Sequence, residues 1–310
     1  MSFRFNHQVL LAAAAMCVAC GDVAAQLATG SFDRTLDVDE PVELEVMTGS
    51  GSIDVRQGSA GEVRVAARIS VGRASGRGAA EAEDIVRRLE DEPPIEVAGN
   101  RVSIGRVDDR ELQRNVSISY EIVVPAETSV RSRTGSGNQS LAGLNGRVEA
   151  TTGSGDVSVE NIAGPVDART GSGGIEGTDI AGAFTAQTGS GGVRLVQSGA
   201  GDVNVSTGSG STDLRGIEGS LRARTGSGSI EVEGTQQGAW DLETGSGSVR
   251  VRLPSEAGFE INARTGSGEV FSSHPITFQG RIERGRLMGQ VRGGGPLLQI
   301  RTGSGSIRIE

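Results

Sequence analysis

Ten copies of one tetrapeptide constrain this chain more than any other feature. Thr-Gly-Ser-Gly begins at Thr48, Thr134, Thr152, Thr170, Thr188, Thr207, Thr225, Thr244, Thr265 and Thr302. From Thr134 to Thr265 the tags recur at steps of 18 to 21 residues, a period that belongs to stacked repeats rather than to a globular core. The step to Thr302 is about two such units and the gap after Thr48 about four or five. Coils in those intervals are expected to have lost the tag or to carry insertions.

The residues around each tag alternate between apolar and polar, as in Val148-Glu149-Ala150-Thr151-Thr152-Gly153-Ser154-Gly155-Asp156-Val157-Ser158-Val159. Alternation of this kind is the mark of a half-buried strand. Val148, Ala150 and Thr152 fall on even positions and Val157 and Val159 on odd ones, so the inward face changes phase across Gly-Ser-Gly. The same change occurs between Leu221, Ala223, Thr225 and Ile230, Val232, and between Trp240, Leu242, Thr244 and Val249, Val251. A phase change repeated at one place means that the glycines turn the chain, as a residue without a Cβ can.

Such a unit cannot bury its apolar face alone, so units must stack and share a core. The fold class is therefore all-β, a single-domain parallel β-solenoid of 26–310. With strands about 4.8 Å apart, roughly ten coils give a rod on the order of 50 Å long. Only 3% of the residues are aromatic and 49 are glycine, so thin layers of Val, Ile, Leu and Ala must fill the interior. Leu144, Ile162, Ile180 and Ile217 read as plugs of the return corners. Strands per coil, two or three, and handedness stay open.

Two stretches interrupt the period and are expected as irregular coils, 56–130 and 271–297. In the first, the spacing of Ile85, Val86 and Leu89 ahead of Pro93-Pro94 predicts a short helix over 79–90 that covers an end or edge. Val102–Ile104 and Val116–Ile122 read as strands, the second ended by Pro125.

The N-terminus reads as an export leader over residues 1–25: Arg4 and His7, an apolar run from Val9 to Ala19, and Val23-Ala24-Ala25 before Gln26. Cleavage there would remove both cysteines, Cys17 and Cys20. The alternative is lipidation of Cys20, because Val18-Ala19-Cys20-Gly21 resembles the end of a lipobox, although Cys17 stands where that motif prefers Leu. No later segment is long and apolar enough for a transmembrane helix. The expected location is the periplasm, the outer surface or the extracellular space. A formal charge of −9 and a pI near 5.0 argue against a nucleic-acid partner.

The run Ile122-Val123-Val124-Pro125-Ala126-Glu127-Thr128, the successive tagged coils, Val251-Arg252-Leu253-Pro254 and the last coil Leu298-Gln299-Ile300-Arg301-Thr302-Gly303-Ser304-Gly305-Ser306-Ile307-Arg308-Ile309 together resemble the bacterial "putative adhesin" family of domains of unknown function. The resemblance covers nearly all of the chain beyond the leader. It implies a β-solenoid of the bacterial envelope and supplies no catalytic residues to carry over.

Each candidate surface has a plain structural reading beside the functional one. The tag threonines, Thr134, Thr152, Thr170, Thr188, Thr207, Thr225, Thr244, Thr265 and Thr302, could order water as a hydroxyl array, but parity turns them inward, where a hydroxyl bonds backbone or a neighbouring threonine. Gly153-Ser154-Gly155-Asp156 is like a calcium-binding β-roll turn, yet Gly174, Gly192, Ser211, Ser229, Ser248, Glu269 and Ser306 occupy the aspartate position elsewhere, so there is no ladder of carboxylates and no metal site is expected. Arg133, Arg169, Arg224, Arg264 and Arg301 precede tags and could form a column for an anionic ligand. Thr151, Gln187, Ser206 and Glu243 are interspersed among them, as avoidance of like-charge neighbours would also produce.

Polysaccharide chemistry on such a rod would need two carboxyl groups across a groove. Glu149, Asp156, Asp167 and Asp241 instead occupy outward positions of regular coils. His274 lacks a second histidine or cysteine beside it, and the tag serines lack a histidine partner. The sequence thus favours a non-enzymatic, exported, adhesin-like or scaffold protein without a cofactor, which meets an envelope polysaccharide or protein through repeated side-chain columns. A polysaccharide lyase or hydrolase is the alternative.

Overall fold

The computed structural model describes residues 26–72, 78–105, 116–277 and 285–310. Residues 1–25, read as a leader and holding His7, Cys17 and Cys20, lie outside the described residues. The chain is a parallel β-solenoid in which each tagged coil gives one strand to each of two sheets, so a coil has two strands. In the Thr152 coil these are Val148–Ser154 and Val157–Ile162, with Gly155 and Asp156 at the corner between them. Val148, Ala150 and Thr152 stand in register with Val166, Ala168 and Thr170, and Val157, Val159 and Ile162 with Ile175, Gly177 and Ile180.

The phase change across the tag is visible in burial: Val148, Ala150, Thr152, Val157 and Val159 all face the interior. Apart from Gly49 at the end of the tagged stack, what the tag glycines share is close approach rather than a left-handed backbone. A Cβ built on Gly153 would lie 2.6 Å from the Gly135 carbonyl oxygen of the neighbouring coil, and one on Gly191 1.8 Å from that of Gly173. No side chain larger than hydrogen fits where coils stack backbone on backbone.

The interior is one aliphatic layer from each sheet. Leu144, Ile162, Ile180 and Ile217 are all fully buried at the return corner. In the next coil after Ile180 that place is taken by Gln197, whose Nε2 donates to the Gly182 and Gly201 carbonyls at 3.2 and 2.8 Å. The large side chains need local compensation. Phe184 sits over Gly177, where an added Cβ would be 3.0 Å from its ring, and Trp240 donates through Nε1 to the Gly219 carbonyl at 3.0 Å.

At both ends the stacking order departs from the chain order, and here the structure corrects the reading of 56–130 and 271–297. The Thr48 coil packs directly on the Thr134 coil, Thr48 opposite Thr134, so no coil lies between them. The intervening chain builds the end instead. Arg101–Ile104 and Val116–Val124 run parallel to the two strands of the Thr48 coil on its far side, as one untagged coil. Beyond them Glu62–Gly72 and Gln26–Asp37 pair antiparallel on one sheet and Ile95–Ala98 on the other. At the opposite end the last strands, Leu297–Ser304 and Ile307–Ile309, insert between the Thr244 and Thr265 coils. Arg286–Val291 and Ile276–Thr277 then close that sheet antiparallel.

The helix spans Ala79–Asp91. Alanine, glutamate, arginine and leucine favour it intrinsically, and Ala82, Ile85, Val86 and Leu89 recur at the spacing of one buried face. That face covers Gln26–Asp37 and Glu62–Gly72. A Cβ on Gly30 would meet Val86 at 2.3 Å, and Glu90 Oε1 accepts from Ser31 N at 2.8 Å.

Two outcomes follow from this packing. Gly153→Ala should destabilise the protein in urea titration by about 1–3 kcal/mol, as overpacking does. Gly49→Ala has the same tag position but nothing within 4 Å, and should stay within about 0.5 kcal/mol of the parent. Deleting residues 79–90 should uncover the end strands and produce concentration-dependent association in size-exclusion chromatography with light scattering; an unchanged, monodisperse protein would show that the helix is no cap.

Candidate functional surface

The tag threonines line up one above the next. Thr152, Thr170, Thr188, Thr207, Thr225 and Thr244 are consecutive in one sheet, Thr48 and Thr134 precede them, and Thr302 then Thr265 follow. Each hydroxyl donates to the carbonyl of the second tag glycine in the adjoining coil. Thr152 Oγ1 reaches Gly137 O at 3.0 Å, Thr170 reaches Gly155 O at 2.8 Å, Thr302 reaches Gly247 O at 2.9 Å and Thr265 reaches Gly305 O at 2.8 Å. Thr134, Thr188, Thr207, Thr225 and Thr244 make the same bond. Thr48 has no tagged coil beyond it and donates to Ile118 O at 2.9 Å. Thr170 and Thr188 also accept, from Gly173 N and Gly191 N at 3.0 and 3.1 Å. The hydroxyls that face solvent at this corner belong to the tag serines, exposed in Ser136, Ser154 and Ser227.

The residue before each threonine faces outward. In stacking order that column reads Met47, Arg133, Thr151, Arg169, Gln187, Ser206, Arg224, Glu243, Arg301, Arg264, with Arg286 opposite Arg264. The chain crossing therefore removes the spacing that the sequence suggests at one end: Glu243 meets Arg301, and Arg301 meets Arg264 directly. Arg169 pairs with Asp167 at 2.8 Å, and Arg224 lies 3.3 Å from Asp241 and 3.5 Å from Glu243. No sequence signal marks this juxtaposition, because Ile300-Arg301-Thr302 fits the pattern of any coil.

The outward carboxylates are engaged by neighbours. Glu149 accepts from Arg131 Nε at 2.8 Å, and that hydrogen bond holds its carboxyl below the usual carboxylate range. Asp241 accepts from Gln299 at 3.0 Å. Asp156 Oδ1 accepts from Gly174 N at 2.7 Å, while Asn138 Oδ1 accepts from Asp156 N at 3.0 Å, so this aspartate joins three coils at the corner. Among the described residues no group of three or more His, Cys, Asp or Glu is placed to hold a metal ion. His274 is buried edge-on against Phe259 at 5.5 Å.

Two buried polar features carry no periodic signal in the sequence. Ser132 replaces the inward alanine of its coil and donates to Gln139 Oε1 across the interior, and Gln139 Nε2 donates to Thr151 O at 2.6 Å. Tyr120 is fully buried beneath the end, 6.5 Å from Phe32, and burial raises its phenol well above the ordinary range.

A family model described as Toastrack DUF4097 matches residues 94–310. No curated protein matches the chain. Among solved structures, a "putative adhesin" from Bacteroides fragilis NCTC 9343 is 13% identical, over 91% of this chain and 97% of that one, with a TM-score of 0.37. A "putative cell adhesion protein" from Clostridium sporogenes ATCC 15579 is 14% identical over 90% and 99%, with a TM-score of 0.21. A "putative lipid binding protein" from Parabacteroides distasonis ATCC 8503 is 12% identical over 90% and 96%, with a TM-score of 0.32. Likeness at this level carries nothing about ligand or activity.

Thr170→Val keeps the shape of the side chain and removes both the bond to Gly155 O and the acceptor for Gly173 N. It should cost about 1–3 kcal/mol in urea unfolding, the range for stranding a buried polar partner. Thr170→Ser, which keeps the hydroxyl, should lose less than half as much.

Proposed function

Because the chain belongs to the Toastrack DUF4097 family, a domain without an assigned activity, we propose that it is an exported, non-enzymatic envelope protein. In this reading it is an adhesin-like binder or scaffold that presents columns of side chains to a surface polymer or a protein partner. The observation that carries the reading is the register of the two sheets, which repeats outward positions coil after coil at about 4.8 Å. Many weak, evenly spaced contacts then act as one through effective concentration.

The outward carboxylates support the same reading against a polysaccharide lyase or hydrolase. A glycosidase acid needs a raised pKa and a second carboxyl across a groove. Glu149 is shifted the other way, and Asp167 and Asp241 are held beside arginines on the outward face of the sheet. Export rests on the leader over residues 1–25, with lipidation of Cys20 as its variant. No helix among the described residues is long and apolar enough to cross a membrane.

A glycan array probed with the purified protein should give binding to a restricted set of envelope polymers. Chromatography of the bound polymers after prolonged incubation should show unchanged chain lengths. Appearance of new reducing or unsaturated ends would replace the scaffold by the enzyme.

A further inference from the structure

The outward column before the tags changes character where the chain crosses itself. Through most of the stack an arginine is followed by an uncharged or acidic residue. Arg301 and Arg264, on adjacent strands, stand directly opposite one another in register, with Glu243 opposite Arg301 on its other side and Arg286 opposite Arg264 on its other side. Simple chain-order stacking would have set Arg264 beside Glu243; insertion of the last coil gives Arg301 that neighbour and sets the two arginines side by side on adjacent strands. Both are exposed.

Like charges directly opposite across strands are unfavourable, and this chain, with 39 acidic residues against 30 basic ones, does not lack carboxylates to separate them. The local ones are committed elsewhere. Glu243 lies 3.5 Å from Arg224 and Asp241 3.3 Å from it. Among the described residues neither Arg301 nor Arg264 has an ion pair. Their sheet neighbours on one side are the amides Gln299 and Asn262, and on the other side the tag glycines Gly303 and Gly266, which place no side chain between the guanidinium groups and solvent.

We infer that Arg264 and Arg301 form a subsite for the oxyanion of a linear acidic polysaccharide. Two guanidinium forks borne on neighbouring strands, whose backbones lie about 4.8 Å apart, can bracket one sulfate, phosphate or carboxylate group and donate to different oxygens of it. The anion offsets the repulsion between the two arginines. A polysaccharide fits better than a lipid surface because the flanking amides and the open glycine strip suit sugar hydroxyls lying along the sheet. The inference deepens the scaffold reading and rests on it, but selects one end of the column: Arg169 and Arg224, each beside a carboxylate, are spectators.

The test uses the full mature chain and titration calorimetry at low salt, with dextran sulfate, polygalacturonate and neutral dextran as probes. Binding to at least one acidic polymer and not to neutral dextran is expected. Arg264→Gln with Arg301→Gln should weaken it at least tenfold and either single change severalfold. Arg169→Gln should leave it within twofold. The thermal midpoint of the double variant should equal or exceed that of the parent, since a repulsive pair is removed; a lower midpoint would mark the pair as structural and overturn the inference. So would equal losses from Arg169→Gln, the absence of any acidic-polymer binding, or retention by phosphatidylglycerol vesicles alone. If the double variant loses acidic polymers but the protein shortens them, the subsite stands and the scaffold reading falls. If array ligands are still bound equally by the double variant, the scaffold reading stands and the subsite falls.

Discussion

Backbone-to-backbone contact at the tagged corner governs the rest of this molecule. Adjacent coils meet there with a carbonyl oxygen where any Cβ would have to be, as the 2.1 Å gap from Gly155 to Gly137 O shows. Removing side chains leaves that carbonyl open to a donor from the adjoining coil, and the threonine hydroxyl supplies it. Glycine and threonine in the tag are thus two halves of one device: the glycines permit the approach and the threonines fix its register. The aliphatic layers then need only be thin, because registration does not depend on large interlocking side chains.

The coil was legible because a corner at a constant offset leaves a phase change in the apolar pattern, and the helix because Ile85, Val86 and Leu89 fall on one face ahead of two prolines. The order of the coils at the ends was not. A parallel strand recognises its neighbour by complementary side chains and register, and these are nearly the same for every tagged coil, so Ile300-Arg301-Thr302 carries nothing that says it belongs beside Leu242-Glu243-Thr244 rather than beyond Ala263-Arg264-Thr265. The interval of 37 residues from Thr265 to Thr302 fits an extra coil and a crossing equally well. The same ambiguity hid the untagged coil outside Thr48. The outward arginines were legible as a column, but their neighbours were not, since neighbours are set by stacking order alone.

Both ends reduce the free solenoid edge: antiparallel strands close both sheets beyond Thr48 and one sheet beyond Thr265, where the other sheet ends on the three-residue strand Val270–Ser272. A parallel coil that ended the stack would expose a full row of backbone donors and acceptors. Here antiparallel strands follow on one or both sheets at each end, and the final residues are bonded on both sides: Glu310 N donates to Val251 O at 2.8 Å while Ser273 N donates to Ile309 O at 2.9 Å. Short closing strands such as Ile276–Thr277 offer little for another chain to pair with.

The same stacking organises the charge. The chain contains no lysine, so apart from two histidines its basic side chains are all arginine. A planar guanidinium can lie along the sheet and meet the carboxylate one coil away, as Arg131 does with Glu149 and Arg252 with Glu231 at 2.8 and 2.6 Å. Each exposed pair adds little stability alone, about 0–1 kcal/mol. Their regular occurrence nonetheless makes lateral neutralisation the rule on this surface. Against that rule a cation left beside another cation is informative in a way that a lone surface arginine on an ordinary globular protein is not, because the repeat shows what its neighbour would normally be.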